Sequence, residues 1–147
     1  MKSLQESTQA YTILKTEAQK NRLSHAYLLL YDDARNLRFA LKAFAKLFFY
    51  PANDRVCRLI EEENFADCLF FPADGKKLTV EDAEAIREEC TLSPVEGERK
   101  VFVLGDFSQA NPQTQNKLLK LLEEPTEGVV FLLGATSSFS VLPTVLS

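Results

Sequence analysis

The sequence predicts an α/β fold in which a mostly parallel β-sheet carries helices on both faces. Short segments that are apolar throughout alternate along the chain with longer segments whose apolar residues recur at helical spacing. Strands without polar alternation are typical of a sheet that is covered on both sides. At 147 residues, of which 46% are hydrophobic, the chain has the size and composition of one domain.

The predicted elements follow from this alternation in the order α-β-α-α-β-α-β-α-β. They are a helix at 3–20, a strand at 26–31, a helix at 34–49, a short helix at 58–67, a strand at 68–72, a helix at 80–90, a strand at 101–104, a helix at 112–124 and a strand at 129–136. The consecutive glutamates at 61–63 are expected on a solvated helix face.

Residues with known preferences for helix ends support these boundaries. Thr79 and Asp82 have the spacing of a capping box. Asn111 followed by Pro112 is typical of an N-cap and the first helical position. Pro125 ends the last helix, because proline cannot continue one.

The overall charge and the cysteines exclude several classes of protein. A formal charge of −4 argues against a domain that holds a nucleic-acid backbone by itself, although it is compatible with a local basic patch. The apolar runs are too short to span a membrane, and the amino terminus lacks the apolar core of a signal peptide. Cys57, Cys68 and Cys90 are odd in number and widely spaced, which favours half-buried thiols in a cytoplasmic protein.

Residues 25–44 have the strand, turn and helix order on which phosphate-binding loops are built. Such a loop needs glycines whose amides wrap the phosphate, a lysine that neutralises it and a hydroxyl that holds Mg²⁺. The positions of these groups are taken here by Tyr31, Asn36, Leu37 and Arg38. Two aspartates in the same turn would also repel phosphate. The sequence therefore keeps the frame of a phosphate site without its chemistry.

Two further strand ends carry polar residues. A working nucleotide-hydrolysing site has Asp-Glu after the strand at 101–104, to hold metal and water, whereas Gly105 and Asp106 stand there. We therefore expect Asp106 to be a turn residue and not a catalytic one. The last strand ends in the hydroxyl side chains of Thr136 and Ser137. No Ser-His-Asp or Cys-His pairing can be assembled from the sequence, and the single histidine is expected to be structural.

Three segments carry a resemblance to a known family: NRLSHAYLL at 21–29, NKLLKLLEEPTEG at 116–128 and ATSSFSVLPTVLS at 135–147. In this order they resemble the bacterial DNA polymerase III clamp loader, an AAA+ family. The resemblance implies a P-loop NTPase-like (AAA+) fold. It also implies that residues 1–147 are an AAA+-like N-terminal domain, truncated so that the final strand, the helical lid and the C-terminal collar domain lie beyond residue 147.

Within this family the gamma/tau subunits hydrolyse ATP, whereas the delta-prime branch commonly has a defective phosphate loop. The losses listed above therefore imply a catalytically inactive subunit of the delta-prime type, without a cofactor. The implied partners are the clamp-loader gamma/tau and delta subunits and, through the assembled complex, primed DNA and the sliding clamp. The site positions that the resemblance implies are the degenerate phosphate-loop residues Tyr31, Asn36, Leu37 and Arg38, the degenerate Walker B residues Gly105 and Asp106, the sensor-1-like Thr136 and Ser137, and the partner-interface residues Pro143, Thr144 and Ser147 at the start of a Ser-Arg-Cys motif.

Two features depart from the family pattern. Family members usually carry a four-cysteine zinc module, and only Cys57 stands where one of its ligands would be, so no metal is expected. The missing final strand would leave the strand that begins at Ala26 as an exposed edge of the sheet. Two other functions stay open: a nucleotide-binding, gamma/tau-like ATPase subunit with an aberrant loop, and a free-standing AAA+-like adaptor.

Overall fold

The structure, a computed structural model, describes residues 2–5, 8–124 and 126–136. Its elements are β1 (Lys2–Gln5), α1 (Thr8–Gln19), β2 (Ala26–Leu30), α2 (Leu37–Leu47), α3 (Asp54–Glu61), β3 (Cys68–Phe71), α4 (Val80–Glu89), β4 (Lys100–Leu104), a short 3-10 helix at Phe107–Gln109, α5 (Pro112–Glu123) and β5 (Val129–Ala135). None of the helices in this part of the chain is long and apolar enough to cross a membrane.

The strands form one sheet in the order β1-β2-β5-β4-β3, and every pair of neighbours is parallel. The β4 and β5 strands are buried along their whole length, which explains why their sequences are apolar throughout. The predicted α/β class, with a parallel sheet and helices on both faces, is confirmed.

The core consists of two layers, one on each face of the sheet. Side chains alternate along β2, so that Tyr27 and Leu29 point to one layer and Leu28 to the other. The first layer is closed by α1, α2 and α3. The second layer is closed by α4 and α5. Burial on both faces makes the sheet the rigid frame that positions the polar strand ends.

The helix ends that the sequence predicts are present. The Thr79 hydroxyl accepts a hydrogen bond from the Asp82 amide at 3.1 Å, and the Asp82 carboxylate accepts one from the Thr79 amide at 3.0 Å. This is the capping box expected at the start of α4. Asn111 caps α5 through a bond of 2.8 Å from the Thr114 amide, with Pro112 at the first helical position.

The amino terminus departs from the prediction. The expected helix at 3–20 begins only at Thr8, and Lys2–Gln5 form β1, whose register on β2 runs from Lys2 opposite Tyr27 to Gln5 opposite Leu30. The expectation that the strand beginning at Ala26 is a sheet edge is therefore wrong, because β1 pairs with the backbone groups that would have been exposed. Four residues are too few for apolar periodicity to reveal a strand.

The third helix also starts earlier than expected. It was predicted at 58–67 and runs from Asp54 to Glu61. Asn53 determines this start, because its side chain accepts a hydrogen bond of 2.8 Å from the Val56 amide. The helix ends before Glu63, which has a positive φ of 57°. This exit turn redirects the Glu63 side chain, with consequences for the site described next.

Candidate functional site

The carboxyl ends of β2, β5 and β4 meet the start of α2 at one edge of the sheet. In an open parallel sheet this edge is where sites are formed. The Tyr31 amide donates a hydrogen bond of 3.0 Å to the Ala135 carbonyl, which joins the turn after β2 to the end of β5. The structure thus brings together the three strand ends that the sequence singled out.

The turn before α2 is closed by its own polar groups. The Asp33 carboxylate accepts hydrogen bonds from the Arg35 amide at 3.0 Å and from the Asn36 side-chain amide at 2.5 Å. The Asn36 backbone amide in turn donates to the Asp33 carbonyl at 3.1 Å. The backbone amides of Arg35 and Asn36 are thus hydrogen-bonded to Asp33, and Asp32 and Asp33 are exposed to solvent. The turn is therefore held by hydrogen bonds to Asp33, whose carboxylate stands where a phosphate would approach.

Leu37, which takes the place of the phosphate-loop lysine, belongs to the hydrophobic core. Its side chain is only 3% exposed, and that of Leu41 one turn later is 1% exposed. A Cβ atom added to Gly134 would lie 2.7 Å from Leu41 Cδ1 and 3.1 Å from Leu37 Cδ1. One added to Gly105 would lie 2.5 Å from Leu41 Cδ1. The two leucines thus fill the space between the ends of β4 and β5, and the two glycines leave room for them.

Arg38 takes the place of the metal-binding hydroxyl, and its guanidinium is hydrogen-bonded to other groups of the protein. Its guanidinium forms a two-pronged salt bridge with Glu63, in which Nε lies 2.6 Å from Oε2 and Nη2 contacts Oε1. The same guanidinium donates to the Pro72 carbonyl at 3.1 Å and lies over the Phe70 ring. Lys42 Nζ lies 3.3 Å from Glu63 Oε2. This cluster ties α2 to the exit of α3 and the end of β3.

The expectation that the glutamates at 61–63 lie on a solvated helix face is therefore wrong for Glu63, which is half-buried and paired with Arg38. The hydrogen bond from Arg38 lowers the pKa of the Glu63 carboxyl, and the positive charges of Arg38 and Lys42 act in the same direction while burial opposes them. Sequence reasoning missed this residue because its partners lie at a distance of more than twenty positions along the chain.

Asp106 caps the turn after β4, as expected for a turn residue. One carboxylate oxygen accepts the Ser108 amide at 3.0 Å and also contacts the Ser108 hydroxyl. The other accepts the Thr136 hydroxyl at 3.1 Å, and the hydroxyls of Ser108 and Thr136 are 3.1 Å apart. The predicted Asp106 and Thr136 positions are thus in direct contact. The Ser108 hydroxyl contacts both residues. The only signal of this role in the sequence is its position two residues after Asp106.

Ser137, Pro143, Thr144 and Ser147 lie outside the described residues. The His25 ring nitrogen Nε2 lies 3.0 Å from the Leu122 carbonyl, in keeping with the expected structural role.

The three cysteines are free thiols distributed over different elements. Burial raises the pKa of the Cys68 and Cys90 thiols, so both are held in the protonated form. Within residues 2–5, 8–124 and 126–136, no group of three or more His, Cys, Asp or Glu side chains is arranged to hold a metal ion.

Comparisons with known proteins agree with this architecture. A family model described as "DNA polymerase III, delta subunit" matches residues 6–147. The chain is 29% identical over 142 residues to DNA polymerase III subunit delta' of Bacillus subtilis, covering 92% of this chain and 43% of the relative. It is 31% identical over 144 residues to DNA polymerase III subunit tau/gamma of Haemophilus influenzae, covering 92% of this chain and 21% of the relative.

A solved structure, that of a DNA polymerase III gamma subunit-related protein from Thermotoga maritima, has a TM-score of 0.70 and 23% identity to the chain. The match covers 90% of this chain and 42% of that one. The chain therefore spans less than half the length of the relatives and the structure named here.

The sheet order, the two helical layers and this structural likeness define a P-loop NTPase-like (AAA+) fold. Because the family model matches almost the entire chain, the chain belongs to the DNA polymerase III clamp-loader family, whose members act in DNA replication.

Proposed function

We propose that this chain is the AAA+-like N-terminal domain of a delta-prime type of clamp-loader subunit that does not hydrolyse ATP. In this proposal it helps assemble the gamma/tau, delta and delta-prime complex that loads the sliding clamp onto primed DNA in the cytoplasm. The observation that carries the proposal is the burial of Leu37 between the ends of β4 and β5, where a phosphate-binding lysine would be needed.

Three physical arguments support the loss of ATP chemistry. A leucine supplies no charge to neutralise phosphate, and phosphoryl transfer depends on such cations. Asp106 accepts hydrogen bonds from two hydroxyl side chains, Ser108 on one carboxylate oxygen and Thr136 on the other. The salt bridge with Glu63 occupies Arg38, so its guanidinium is not available to a nucleotide at the start of α2.

The degenerate phosphate site still contributes to the packing of the protein. Leu37, Leu41, Gly105 and Gly134 pack α2 onto the sheet, so the frame of the phosphate loop contributes to the core. A subunit of this kind presents its surfaces to neighbours that carry out hydrolysis. The relatives named above are subunits of DNA polymerase III, which supports partners of the gamma/tau and delta type.

Isothermal titration of the chain with Mg-ATP tests the loss of nucleotide binding. We expect no heat above dilution at millimolar ATP, whereas a gamma subunit titrated in parallel should give a saturable isotherm. Saturable binding near micromolar concentration would contradict the proposal. It would favour the other candidate, a gamma/tau-like nucleotide-binding subunit. The 31% identity to a tau/gamma subunit supports that candidate.

Assembly is tested separately, because it does not depend on nucleotide binding by this chain. The natural protein that contains this chain should co-purify from its own cells with gamma/tau and delta subunits. In reconstitution with gamma, delta, clamp and primed DNA, the form that extends through the Ser-Arg-Cys motif and the following domains should support clamp loading better than residues 1–147 alone. Equal activity of the two forms would remove the proposed role of the later residues. Purification without these subunits would favour a free-standing adaptor.

A further inference from the structure

The β3 strand is the last strand of the sheet on the side opposite β1, so one of its edges has no neighbouring strand among the described residues. Its other edge pairs in register with β4, from Cys68 opposite Val101 to Phe71 opposite Leu104. Each residue of a strand directs its backbone N–H and C=O groups to one edge only, and alternate residues use opposite edges. The free edge of β3 therefore presents the backbone groups that β4 does not use.

The hydrogen bonds between β3 and β4 show which backbone groups of β3 face outward. The Asp67 carbonyl accepts the Val101 amide at 2.8 Å, and the Phe71 carbonyl accepts the Gly105 amide at 3.0 Å. With this register, the backbone groups of residues 67, 69 and 71 face β4. The N–H and C=O groups of residues 68, 70 and 72 therefore face the free edge.

The two ends of this outward row are satisfied within the protein, whereas its middle is not. The Cys68 amide donates to the Phe65 carbonyl at 3.1 Å, and Pro72 has no N–H. The Pro72 carbonyl accepts a hydrogen bond of 3.1 Å from Arg38 Nη1. The Cys68 carbonyl and the amide and carbonyl of Phe70 remain, and no described residue hydrogen-bonds to them. They form a row of acceptor, donor and acceptor, which the backbone of an added strand matches.

A pocket of about 320 Å³ lies along this free edge. Its lining comes from the segment 63–71 and includes Cys68 and Phe70, the two residues that carry the unpaired groups. Among the described residues of the lining, Glu63 is the one with a charged side chain, and two cations of α2 neutralise it. The other side chains are mostly apolar. Charge complementarity at this edge therefore favours an extended segment with uncharged side chains.

The backbone of β3 disfavours a second copy of this chain as the occupant. Two antiparallel copies paired at Phe70 would set the Cys68 carbonyl of each opposite Pro72 of the other, which has no N–H to donate. Pairing Phe70 with Cys68 instead would set the Phe70 carbonyl against the Cys68 amide, which already donates to Phe65. Either arrangement leaves a carbonyl unpaired, whereas a segment without proline pairs with all the unpaired groups.

We propose that the free edge of β3 binds an extended, uncharged segment of a partner protein, which joins the sheet as a further strand. The backbone of this segment donates hydrogen bonds to the carbonyls of Cys68 and Phe70 and accepts one from the Phe70 amide. Its side chains contact the apolar lining of the pocket and contribute specificity. These backbone groups have no part in nucleotide chemistry, so the site does not depend on the function proposed above.

The test uses the chain labelled with ¹⁵N and the peptide acetyl-Thr-Val-Thr-Val-Thr-amide. Titration should shift the amide signal of Phe70 saturably downfield, with a dissociation constant on the order of 1 mM, and should slow the hydrogen exchange of this amide at least threefold. The same peptide N-methylated at every residue keeps the side chains but loses the N–H donors of the strand, so it should bind at least fivefold more weakly. Equal binding of both peptides, or no saturable shift at Phe70, would overturn the proposal.

Two variants separate the backbone of Phe70 from its ring. Phe70→Pro removes the outward N–H and should weaken binding of the peptide at least fivefold, as followed at the Ala66 and Phe71 amides. Phe70→Ala removes only the ring and should bind within threefold of the parent protein. Equal binding by the two variants would overturn the role of the N–H group. If urea denaturation finds Phe70→Pro unfolded, the comparison of the two peptides decides.

The oligomeric state tests the choice of occupant. Light scattering after gel filtration should find the unmodified chain monomeric, because β3 cannot satisfy a second copy of itself. A dimer that Phe70→Pro abolishes would overturn a partner segment in favour of a second copy.

Discussion

At the scale of single residues, the carboxyl edge of the sheet is shaped by two glycines that face the same leucine. Gly105 follows β4 and Gly134 lies within β5, and both approach Leu41 so closely that a side chain would collide with it. Leu41 is 1% exposed and packed on all sides, so it has little room to move away. An acidic side chain at position 105 would therefore be opposed by packing.

Gly134→Ala should lower the free energy of unfolding by about 1–3 kcal/mol, because overpacking a filled core has this cost. Gly105→Asp, which introduces a Walker B-like acid, should be destabilised at least as much and should gain no ATPase activity. Urea denaturation and a phosphate-release assay measure these effects. Gly97→Ala is the matched control, since its added Cβ would come no closer than 3.8 Å to Asp67. A fully stable Gly105→Asp protein would contradict this account.

Asp67 is the second residue on which a local structure depends. Asp67→Asn should lower the free energy of unfolding by about 2–3 kcal/mol, since it replaces a charged acceptor of three amides by a group that places its own N–H donors against them. Urea denaturation measures the loss. Asp74→Asn, whose side chain is 87% exposed, should change stability little. Equal stability of both variants would mean that the loop at 95–97 does not need this carboxylate.

At the scale of elements, the sheet is completed by its least apolar strand, β1, which has only four residues. β1 covers the outer edge of β2, whose residues Ala26–Leu29 are buried, and α1 makes the connection between the two strands. Without β1, a continuous apolar strand would present unpaired backbone groups, which is the arrangement that favours self-association. The amino terminus thus has a protective role that its sequence, KSLQ, does not suggest.

Removal of residues 2–5 should lower stability and cause self-association that increases with protein concentration. Light scattering after gel filtration measures the association, and urea denaturation measures the stability. Ser3→Thr keeps every backbone donor and acceptor of β1, so its stability and association should match those of the parent protein. A shortened chain that stays monomeric at high concentration would show that the edge of β2 is protected in another way.

The salt bridges of Glu63 join α2 to the exit of α3 and should make stability depend on pH. The folded-state pKa of Glu63 lies below its unfolded value, so the stabilisation is present above about pH 4.3 and is lost as the pH falls through the lower, folded-state pKa. Glu63→Gln should therefore be less stable than the parent protein at neutral pH, and this difference should shrink below about pH 4.3. Thermal or urea unfolding between neutral and acid pH measures it. Glu62→Gln, an exposed neighbour without a described ion pair, should show no such narrowing.

At the scale of the whole molecule, the two edges of the sheet differ in character. The carboxyl edge is filled by leucines, by a turn held together by Asp33 and by a hydroxyl–carboxylate cluster. The amino edge is open, with an aromatic pocket beside a guanidinium.

The whole chain is expected to fold without a structural metal. Cys57, Cys68 and Cys90 lie on or beside α3, β3 and α4, and two of the thiols are held protonated by burial, whereas zinc binds thiolates. Elemental analysis of protein purified without a metal-chelating resin should find far less than one zinc per chain, and EDTA should not change the melting temperature. Near one zinc per chain would contradict the prediction, and a chain loaded with excess zinc is the reference for detection.

The sequence by itself determined the fold class and most element positions, because they depend on local signals. Apolar strands such as Val129–Ala135, the capping box at Thr79 and the N-cap at Asn111 act over a few residues and are readable without a fold. The absence of a lysine at Leu37 is equally a fact of sequence. These features suffice to predict a parallel sheet with a phosphate-loop frame that lacks phosphate chemistry.

Only the tertiary structure decided what replaces that chemistry, because the replacing contacts join residues far apart in the chain. The fit of Leu41 against Gly134, the salt bridge from Arg38 to Glu63 and the hydrogen bond from Thr136 to Asp106 each depend on which strand lies beside which. The same holds for β1, whose short polar sequence becomes a strand only because β2 offers it an unpaired edge. Local propensity carries no information about such long-range pairing, since a few residues cannot specify their partner across the sheet.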